Sequence, residues 1–231
     1  MSSDTPDPRF ALLRRREALA ALGAAGLGAA FGARGLLRPD AATSADCVLQ
    51  REVTEGPYYL DLDLLRRDIR EGRPGIPLAL LFTVVDASSC AIIRGATVEI
   101  WHADAGGIYS GVSGDSGKYL RGGQKTDGRG RARFTTIYPG WYQGRTPHIH
   151  MKVFVGGDEV HTGQVFFRET VTRSVYRRGV YAARGQADTS NAADSIYREA
   201  GSRALLALRR RNAKSLSSGL TGSLTIGINP S

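Results

Sequence analysis

His148 and His150 are the pair of residues in this chain best spaced to bind one metal ion together. They lie one residue apart and are half of the four histidines in 231 residues. The apolar residues Ile149 and Met151 alternate with them, as in a strand, where side chains at i and i+2 project from the same face. Both imidazoles would then face the same ion. This spacing also arises by chance on exposed strands, so the pair alone leaves the question open.

Tyrosine is the other candidate ligand type near this pair. Tyr142 lies six residues before His148 on a Pro-Gly turn, and Tyr109 follows a strand end and a Gly-Gly loop. No cysteine, carboxylate or third histidine lies nearby in the pattern, as zinc hydrolases generally need. A phenolate is a hard anionic ligand and favours Fe(III). With nine tyrosines in the chain, ordinary packing is the competing interpretation for both residues.

Three longer segments resemble one enzyme family. They read ATVEIWHADAGGIYSG, LRGGQKTDGRGRARFTTIYPGWYQGRTPHIHMKV and HTGQVFF, and EGPYYLD precedes them. In this order they are similar to the intradiol ring-cleavage dioxygenases, which include catechol 1,2- and protocatechuate 3,4-dioxygenases. The resemblance covers about residues 47 to 185. It implies a non-haem ferric ion, Fe(III), held on a β-sandwich by Tyr109, Tyr142, His148 and His150.

The resemblance also implies a reaction and further site residues. Catechol-type rings would be cleaved with O2 to cis,cis-muconate-type products, so the partners would be a small-molecule catechol and O2. Arg145 and Gln164 match the family's active-site arginine and glutamine and would stabilise charge on the substrate. Tyr142 would also be catalytic, as the ligand that leaves and takes a substrate proton. The preferred catechol and the oligomeric state stay open, and a homo-oligomer is one option.

Three other functions fit the residues less well. A transthyretin-like β-sandwich could act as a non-catalytic binding module, but such a module has no need of four ligands and Arg145. A zinc hydrolase using His148 and His150 would lack a third ligand and a general-base carboxylate. The net charge of +9 would suit a nucleic-acid-binding protein, but the 31 basic residues are scattered among acids and glycines. A nucleic-acid binder would more often show a basic stripe with interleaved aromatics.

The remaining aromatic and histidine residues near these motifs have weaker assignments. Tyr58 and Tyr59 are candidates for the substrate pocket, with ordinary packing at least as well supported for them and for Tyr119. His102 and His161 are expected to pack structurally or to hydrogen-bond the ligands from behind. Asp104 is expected to cap or brace the loop that leads to Tyr109.

The elements that must position these residues are mostly short strands. Alternating or apolar runs predict strands at LALLFTVVD, ATVEIWHAD, RARFTTIYP, HIHMKVFV, QVFFR and SLTIGI. Glycine-rich connections between them favour an all-β sandwich or barrel, and the family resemblance favours the β-sandwich, with long loops and one or two short helices. Residues 105–130 are expected to form a long loop. A helix is predicted in NAADSIYREAGSRALLALRR and a short helical pattern in VTEGPYYLDLDLL.

The N-terminal region has the layout of an export signal. Arg14–Arg16 precede the apolar run ALAALGAAGLGAAFGA, and Arg34 and Arg38 make that run too short to span a bilayer comfortably. Paired arginines suggest the twin-arginine route, so residues 1–45 are expected to be signal and linker and residues 46–231 the exported domain, with no stable membrane insertion afterwards.

The cysteine count fits an exported domain. An even count in an oxidising compartment favours a disulfide, here between Cys47 and Cys90. Lipidation of Cys47 is a weaker alternative, because Ser44-Ala45-Asp46 matches a lipobox poorly.

Overall fold

A computed structural model describes residues 47–112 and 114–230 of the chain. Its strands are β1 (Pro77–Asp86), β2 (Thr97–Trp101), β3 (Arg121–Lys125), β4 (Arg131–Ile137), β5 (His148–Val155), β6 (Asp158–Phe166), β7 (Ala207–Asn212) and β8 (Ser215–Ile228). Its α-helices are α1 (Glu169–Val175), α2 (Gly179–Ala182) and α3 (Ser195–Ala200), and a 3-10 turn covers Ser202–Ala204. The predicted all-β class is confirmed.

Two four-stranded sheets face each other across one hydrophobic core. One sheet has the order β4-β1-β8-β7 and the other β3-β2-β5-β6. Most neighbours are antiparallel, but β1 and β8 run parallel. In β1 the alternating Leu78, Leu80, Phe82 and Val84 are buried in the core, because successive strand residues point to opposite faces. The β-sandwich is therefore the architecture that the alternating strands and the family resemblance predict.

The second sheet carries the candidate ligands on the face turned away from this core. On β5, Ile149, Met151 and Val153 pack into the core, which directs His148 and His150 to the other face. Cross-strand pairing then places four residues in one row over all four strands, in the order Arg121, Trp101, His150 and Gln164. All four residues are buried, which shows that loops cover this face of the sheet.

Two predicted helices differ from the structure. The helix expected across residues 191–210 covers only Ser195–Ala200, because Gly201 has a φ of 77°, which helical residues do not adopt. The chain continues through the 3-10 turn into β7, which pairs with β8. The short helix expected in VTEGPYYLDLDLL is wrong. That segment is extended, and Leu65 and Arg66 pair with Gly123 of β3 instead.

The other connections also differ in part from expectation. The loop expected over residues 105–130 contains β3 at Arg121–Lys125. The described residues hold three short α-helices, against the one or two expected. α1 and α2 lie between β6 and the 191–210 region, in a segment where no element is predicted from the sequence.

The predicted cysteine pairing is present. Cys47 and Cys90 form a disulfide with a Cα–Cα distance of 5.2 Å and a sequence separation of 43 residues. It ties the first described residue to the turn that follows β1. Within the described ranges, no helix is long and apolar enough to cross a membrane. The export signal expected at residues 1–45 lies outside those ranges.

Candidate active site

The loop after β2 presents Tyr109 to the outer face of the second sheet. Asp104 braces this loop as expected, because its Oδ1 accepts hydrogen bonds from the backbone N–H groups of Gly106, at 2.9 Å, and Ile108, at 3.1 Å. Gly107 has a φ of 84°, and a Cβ there would lie 2.1 Å from the carbonyl oxygen of Trp141. Only glycine allows this close approach. The Tyr109 loop is therefore packed directly against the loop that carries Tyr142.

Four side-chain atoms converge where these loops meet β5. The Tyr109 hydroxyl lies 3.0 Å from His150 Nε2 and 3.3 Å from His148 Nε2. The Tyr142 hydroxyl lies 3.2 Å from His148 Nε2, and the two Nε2 atoms are 3.0 Å apart. The four residues that the family resemblance singles out are thus brought together through their potential ligand atoms.

The histidines are in the state that metal binding requires. His148 Nδ1 lies 2.7 Å from the Thr146 carbonyl oxygen, and a proton on Nδ1 leaves the Nε2 lone pair free. Burial, with the nearby Arg145 charge, lowers the pKa of His148 to about 3. Burial and His148 lower the pKa of His150 as well. Both imidazoles are therefore neutral at pH 7.

The tyrosines need a cation to ionise here. Burial, with the neighbouring Tyr142, holds the pKa of Tyr109 well above its usual range. Burial also raises the pKa of Tyr142, although Arg145 works against the rise. Among the described residues, no group of three or more His, Cys, Asp and Glu side chains is placed to hold a metal. A metal at this point would therefore have to use the phenol oxygens as ligands.

Arg145 and Gln164 lie beside the four converging atoms. Arg145 Nη1 donates to the Tyr142 hydroxyl at 3.3 Å, and Nη2 donates to Gln164 Oε1 at 2.6 Å. Gln164 Nε2 in turn donates to the Thr54 carbonyl at 2.9 Å. The Arg145 guanidinium thus links Tyr142 to Gln164 on β6, and Gln164 in turn links β6 to Thr54.

Asp194 is a site residue that the sequence did not reveal. Its side chain is fully buried, and its Oδ2 accepts from Arg145 Nε at 2.8 Å and from the Thr146 N–H at 3.0 Å. Its Oδ1 accepts from the first backbone N–H groups of α3. An Asp before a helical stretch is an N-cap signal that could have been read. Its pairing with Arg145, 49 residues earlier, has no local signal.

The two tyrosines of EGPYY separate in the structure. The Tyr58 ring stacks on Tyr109 with centroids 4.5 Å apart and meets Tyr142 edge-on at 6.0 Å. The Tyr59 hydroxyl instead donates to Glu99 at 3.1 Å, and its ring lies under the Lys152 ammonium. Gly56, with a φ of 74°, lets this segment come close to the His150 ring. The segment therefore brings Tyr58, and not Tyr59, against the converging atoms.

The other residues singled out in the sequence make their hydrogen bonds outside the four converging side chains. His102 is buried with Nε2 2.7 Å from the Thr136 hydroxyl, and burial lowers its pKa to about 4. His161 is buried on β6 beside Gly163. Tyr119 donates to Asp115 at 2.6 Å and is covered by Arg73. The hydrogen bonds of His102 and Tyr119 thus go to scaffold residues, whereas the buried His161 Nε2 has no hydrogen-bond partner among the described residues.

Comparisons with known proteins show that this chain is similar to dioxygenases. A family model described as dioxygenase matches residues 54–184, a range that includes all four converging residues, Arg145 and Gln164. The structure of an intradiol ring-cleavage dioxygenase from Tetranychus urticae is similar, with 36% identity and a TM-score of 0.74. The match covers 80% of this chain and 96% of that one.

Two bacterial proteins are also similar. The dioxygenase domain of a dioxygenase and carbohydrate-binding fusion from Streptomyces sp. SirexAA-E has 25% identity and a TM-score of 0.60, covering 79% of this chain and 99% of that one. A chlorocatechol 1,2-dioxygenase from Pseudomonas putida is 27% identical over an alignment of 138 residues, and the match covers 49% of this chain and 52% of that protein. The chain thus spans about half the length of the curated relatives it matches.

Proposed function

Because this chain belongs to the intradiol ring-cleavage dioxygenase family, we propose that it is a non-haem Fe(III) enzyme that opens catechol-type rings with O2. The expected products are of the cis,cis-muconate type. One observation carries the proposal: the hydroxyls of Tyr109 and Tyr142 and the Nε2 atoms of His148 and His150 converge, with neighbouring pairs 3.0 to 3.3 Å apart.

The residues present fit a ferric ion. Two neutral imidazoles and two phenol oxygens form a mixed nitrogen and oxygen donor set, and the anionic oxygens favour a hard trivalent ion. The raised pKa of both tyrosines means that their ionisation has to be compensated by positive charge, which Fe(III) would supply. When bound, the ion would act as a Lewis acid toward both catechol oxygens and make the ring reactive toward O2.

The two tyrosines are suited to different tasks. Tyr109 is 4% exposed and is covered by the stacked Tyr58 ring, so it would stay in place. Tyr142 is only partly buried, and its hydroxyl accepts a hydrogen bond from Arg145 Nη1 at 3.3 Å. Its oxygen is therefore the one placed to take a proton from a catechol hydroxyl as the substrate binds.

Arg145 and Gln164 would act on the charge that develops on the substrate. The guanidinium is fixed at Nε by Asp194 and at Nη2 by Gln164, which leaves Nη1 directed at Tyr142 and His148. A donor held in advance of the reaction stabilises developing negative charge without having to reorganise. Tyr58 and Trp101 would limit water around the ligands, since they stack on Tyr109 and His150.

Oxygen uptake tests the proposal. Iron-reconstituted protein is expected to consume O2 with catechol, and Tyr142→Phe is expected to lower the rate at least ~100-fold because the proton acceptor is lost. Tyr197→Phe is the matched control, since that ring packs on Phe166 and takes no part in the proposed chemistry. A Tyr142→Phe variant as fast as Tyr197→Phe would reject the role given to Tyr142, and wild-type protein without uptake would reject the activity.

The substrate class can be narrowed by the same assay. The Pseudomonas putida relative is a chlorocatechol 1,2-dioxygenase, so chlorocatechols join catechol, methylcatechols, hydroxyquinol and protocatechuate in the panel. Diphenols with adjacent hydroxyls are expected to be consumed, and resorcinol, whose hydroxyls are not adjacent, is not.

We also propose that the protein is exported by the twin-arginine route. The paired arginines at 14–16 and the following apolar run support this, and the Cys47–Cys90 disulfide fits an oxidising compartment. Replacing Arg14, Arg15 and Arg16 with lysine should retain the precursor inside the cell. Unchanged export of that variant would contradict the route.

A further inference from the structure

Residues 54–63 lie on the outer face of the second sheet with little backbone pairing. Among the described residues, this stretch makes no backbone-to-backbone hydrogen bond with either sheet, although it carries Tyr58, whose ring stacks on a candidate ligand. Side chains of the sheet bond two of its carbonyls instead, Gln164 that of Thr54 and Arg121 that of Tyr58. The position of this stretch over the site is therefore set mainly by side chains.

Lys152 contacts this stretch at two points. It follows His150 by two residues on β5, so both side chains project from the same face of the sheet. The Lys152 side chain is 7% exposed, and its Nζ lies 2.6 Å from Glu55 Oε2 and 4.0 Å from the centroid of the Tyr59 ring. One ammonium thus contacts both ends of the loop Glu55–Tyr59, by an ion pair at one end and a cation–π contact at the other.

The loop between these two contacts covers the candidate ligands. At its middle, the Tyr58 ring lies on Tyr109 with centroids 4.5 Å apart. At its end, the Tyr59 ring packs against Trp101 at 5.0 Å, and Trp101 stacks on His150 at 4.9 Å with an interplanar angle of 10°. Displacement of the loop would therefore uncover Tyr109 and expose Trp101, the ring that packs on His150.

The second carboxylate on Lys152 provides an internal comparison. Glu159 Oε2 on β6 lies 2.7 Å from Lys152 Nζ, and its side chain is 42% exposed, against 45% for Glu55. The two ion pairs are thus matched in length and in screening by solvent. Only the pair with Glu55 reaches the loop, because Glu159 belongs to the same sheet as Lys152.

We propose that Lys152 is a positioning residue that pins the Glu55–Tyr59 loop over the site and so shields the four converging atoms from solvent. The shielding of iron rests on the proposed ferric site, whereas the pinning of the loop does not. If Lys152 only stabilised the sheet, breaking either ion pair would have the same effect on the site. If it positions the loop, only breaking the pair with Glu55 releases the loop.

Tryptophan fluorescence of the metal-free protein tests the pinning. The chain has two tryptophans, so Trp141→Phe leaves Trp101, which is 2% exposed, as the single reporter beneath the loop. In that background, Glu55→Gln is expected to raise the acrylamide quenching constant at least about twofold, and Lys152→Met should raise it more because the cation–π contact is also lost. Glu159→Gln should stay near the parent protein. Equal quenching in the two Gln variants would overturn the role of Lys152, and these two variants decide the question even if Lys152→Met does not fold.

Release of iron to a chelator tests the shielding, in proteins that keep both tryptophans. Iron-reconstituted proteins mixed with excess EDTA are expected to lose their visible band about fivefold faster for Glu55→Gln than for Glu159→Gln, with Glu159→Gln near wild type. Equal rates in the two variants would overturn the shielding. Wild-type protein that takes up no iron would instead reject the proposed function and the shielding with it, while the quenching result would still decide whether Lys152 pins the loop.

Discussion

The ion pair between Asp194 and Arg145 allows a quantitative test through Asp194→Asn. The substitution keeps an oxygen that can cap α3 at the Ile196 and Tyr197 N–H groups. It replaces the charged Oδ2, which accepts from Arg145 Nε at 2.8 Å and from the Thr146 N–H at 3.0 Å. An amide nitrogen at that position would face two donors. The variant therefore removes the charged partner of Arg145 and keeps the cap of α3.

The magnitude follows from burial. The Asp194 side chain is 0% exposed and that of Arg145 is 16% exposed, so solvent screens the pair little. Removing one partner of a buried ion pair costs about 3–5 kcal/mol of stability. The loss should lie near the lower end of that range because the substituted side chain still caps α3. We expect the free energy of unfolding to fall by about 3 kcal/mol. The turnover rate should fall by about tenfold or more, since Nη1 is no longer held toward Tyr142.

Urea unfolding followed by circular dichroism and oxygen uptake with catechol measure the two effects. Asp188→Asn is the control, because exposed Asp188 accepts from the Gly144 N–H at 3.2 Å without touching Arg145, and it should cost less than about 1 kcal/mol. An Asp194→Asn protein that matches Asp188→Asn in both stability and rate would refute the reasoning.

Two further predictions concern the scaffold. Burial lowers the pKa of His102 to about 4 in the folded chain, below the value of about 6.5 in the unfolded chain. The contribution of His102 to stability is therefore full above about pH 6.5, and about 3 kcal/mol of it is lost as the pH falls toward about 4. Urea unfolding of the iron-free protein at pH 7 and pH 4.5 should show a smaller fall for His102→Gln, and an equal fall would contradict this assignment. The Cys47–Cys90 bond closes a separation of 43 residues, so Cys47→Ser with Cys90→Ser should lower the free energy of unfolding by about 4 kcal/mol. A loss under about 1 kcal/mol in the same urea experiment would show that this bond does not constrain the unfolded chain.

The sequence predicted the parts of the fold and of the constellation that have local signals. The alternation around His148 and His150 predicts a strand with both imidazoles on one face, and β5 has that arrangement. The Gly-Gly loop before Tyr109 and the Pro-Gly turn before Tyr142 predict loop positions, which both tyrosines occupy. Their meeting with the histidines followed only from the family resemblance, because no spacing rule joins residues of separate loops.

The features that the sequence did not predict depend on distant partners. The apolar residues of 191–210 fit a helical period, but pairing of β7 with β8 stabilises a strand there. Asp194 and Arg121 carry ordinary local signals, a cap and a strand start, and their contacts with the site come from tertiary packing. Tyr58 and Tyr59 are adjacent in sequence, yet their side chains diverge toward Tyr109 and Glu99.

Iron titration of the metal-free protein, followed by visible absorption, tests the central claim most directly. Because phenolate ligands to Fe(III) give a visible charge-transfer colour, wild-type protein should develop a band that saturates at about one ferric ion per chain. The band should shift in Tyr142→Phe and vanish in the double variant Tyr109→Phe with Tyr142→Phe. Wild-type protein that stays colourless and iron-free, or a double variant that keeps the full band, would contradict the four-residue ferric site.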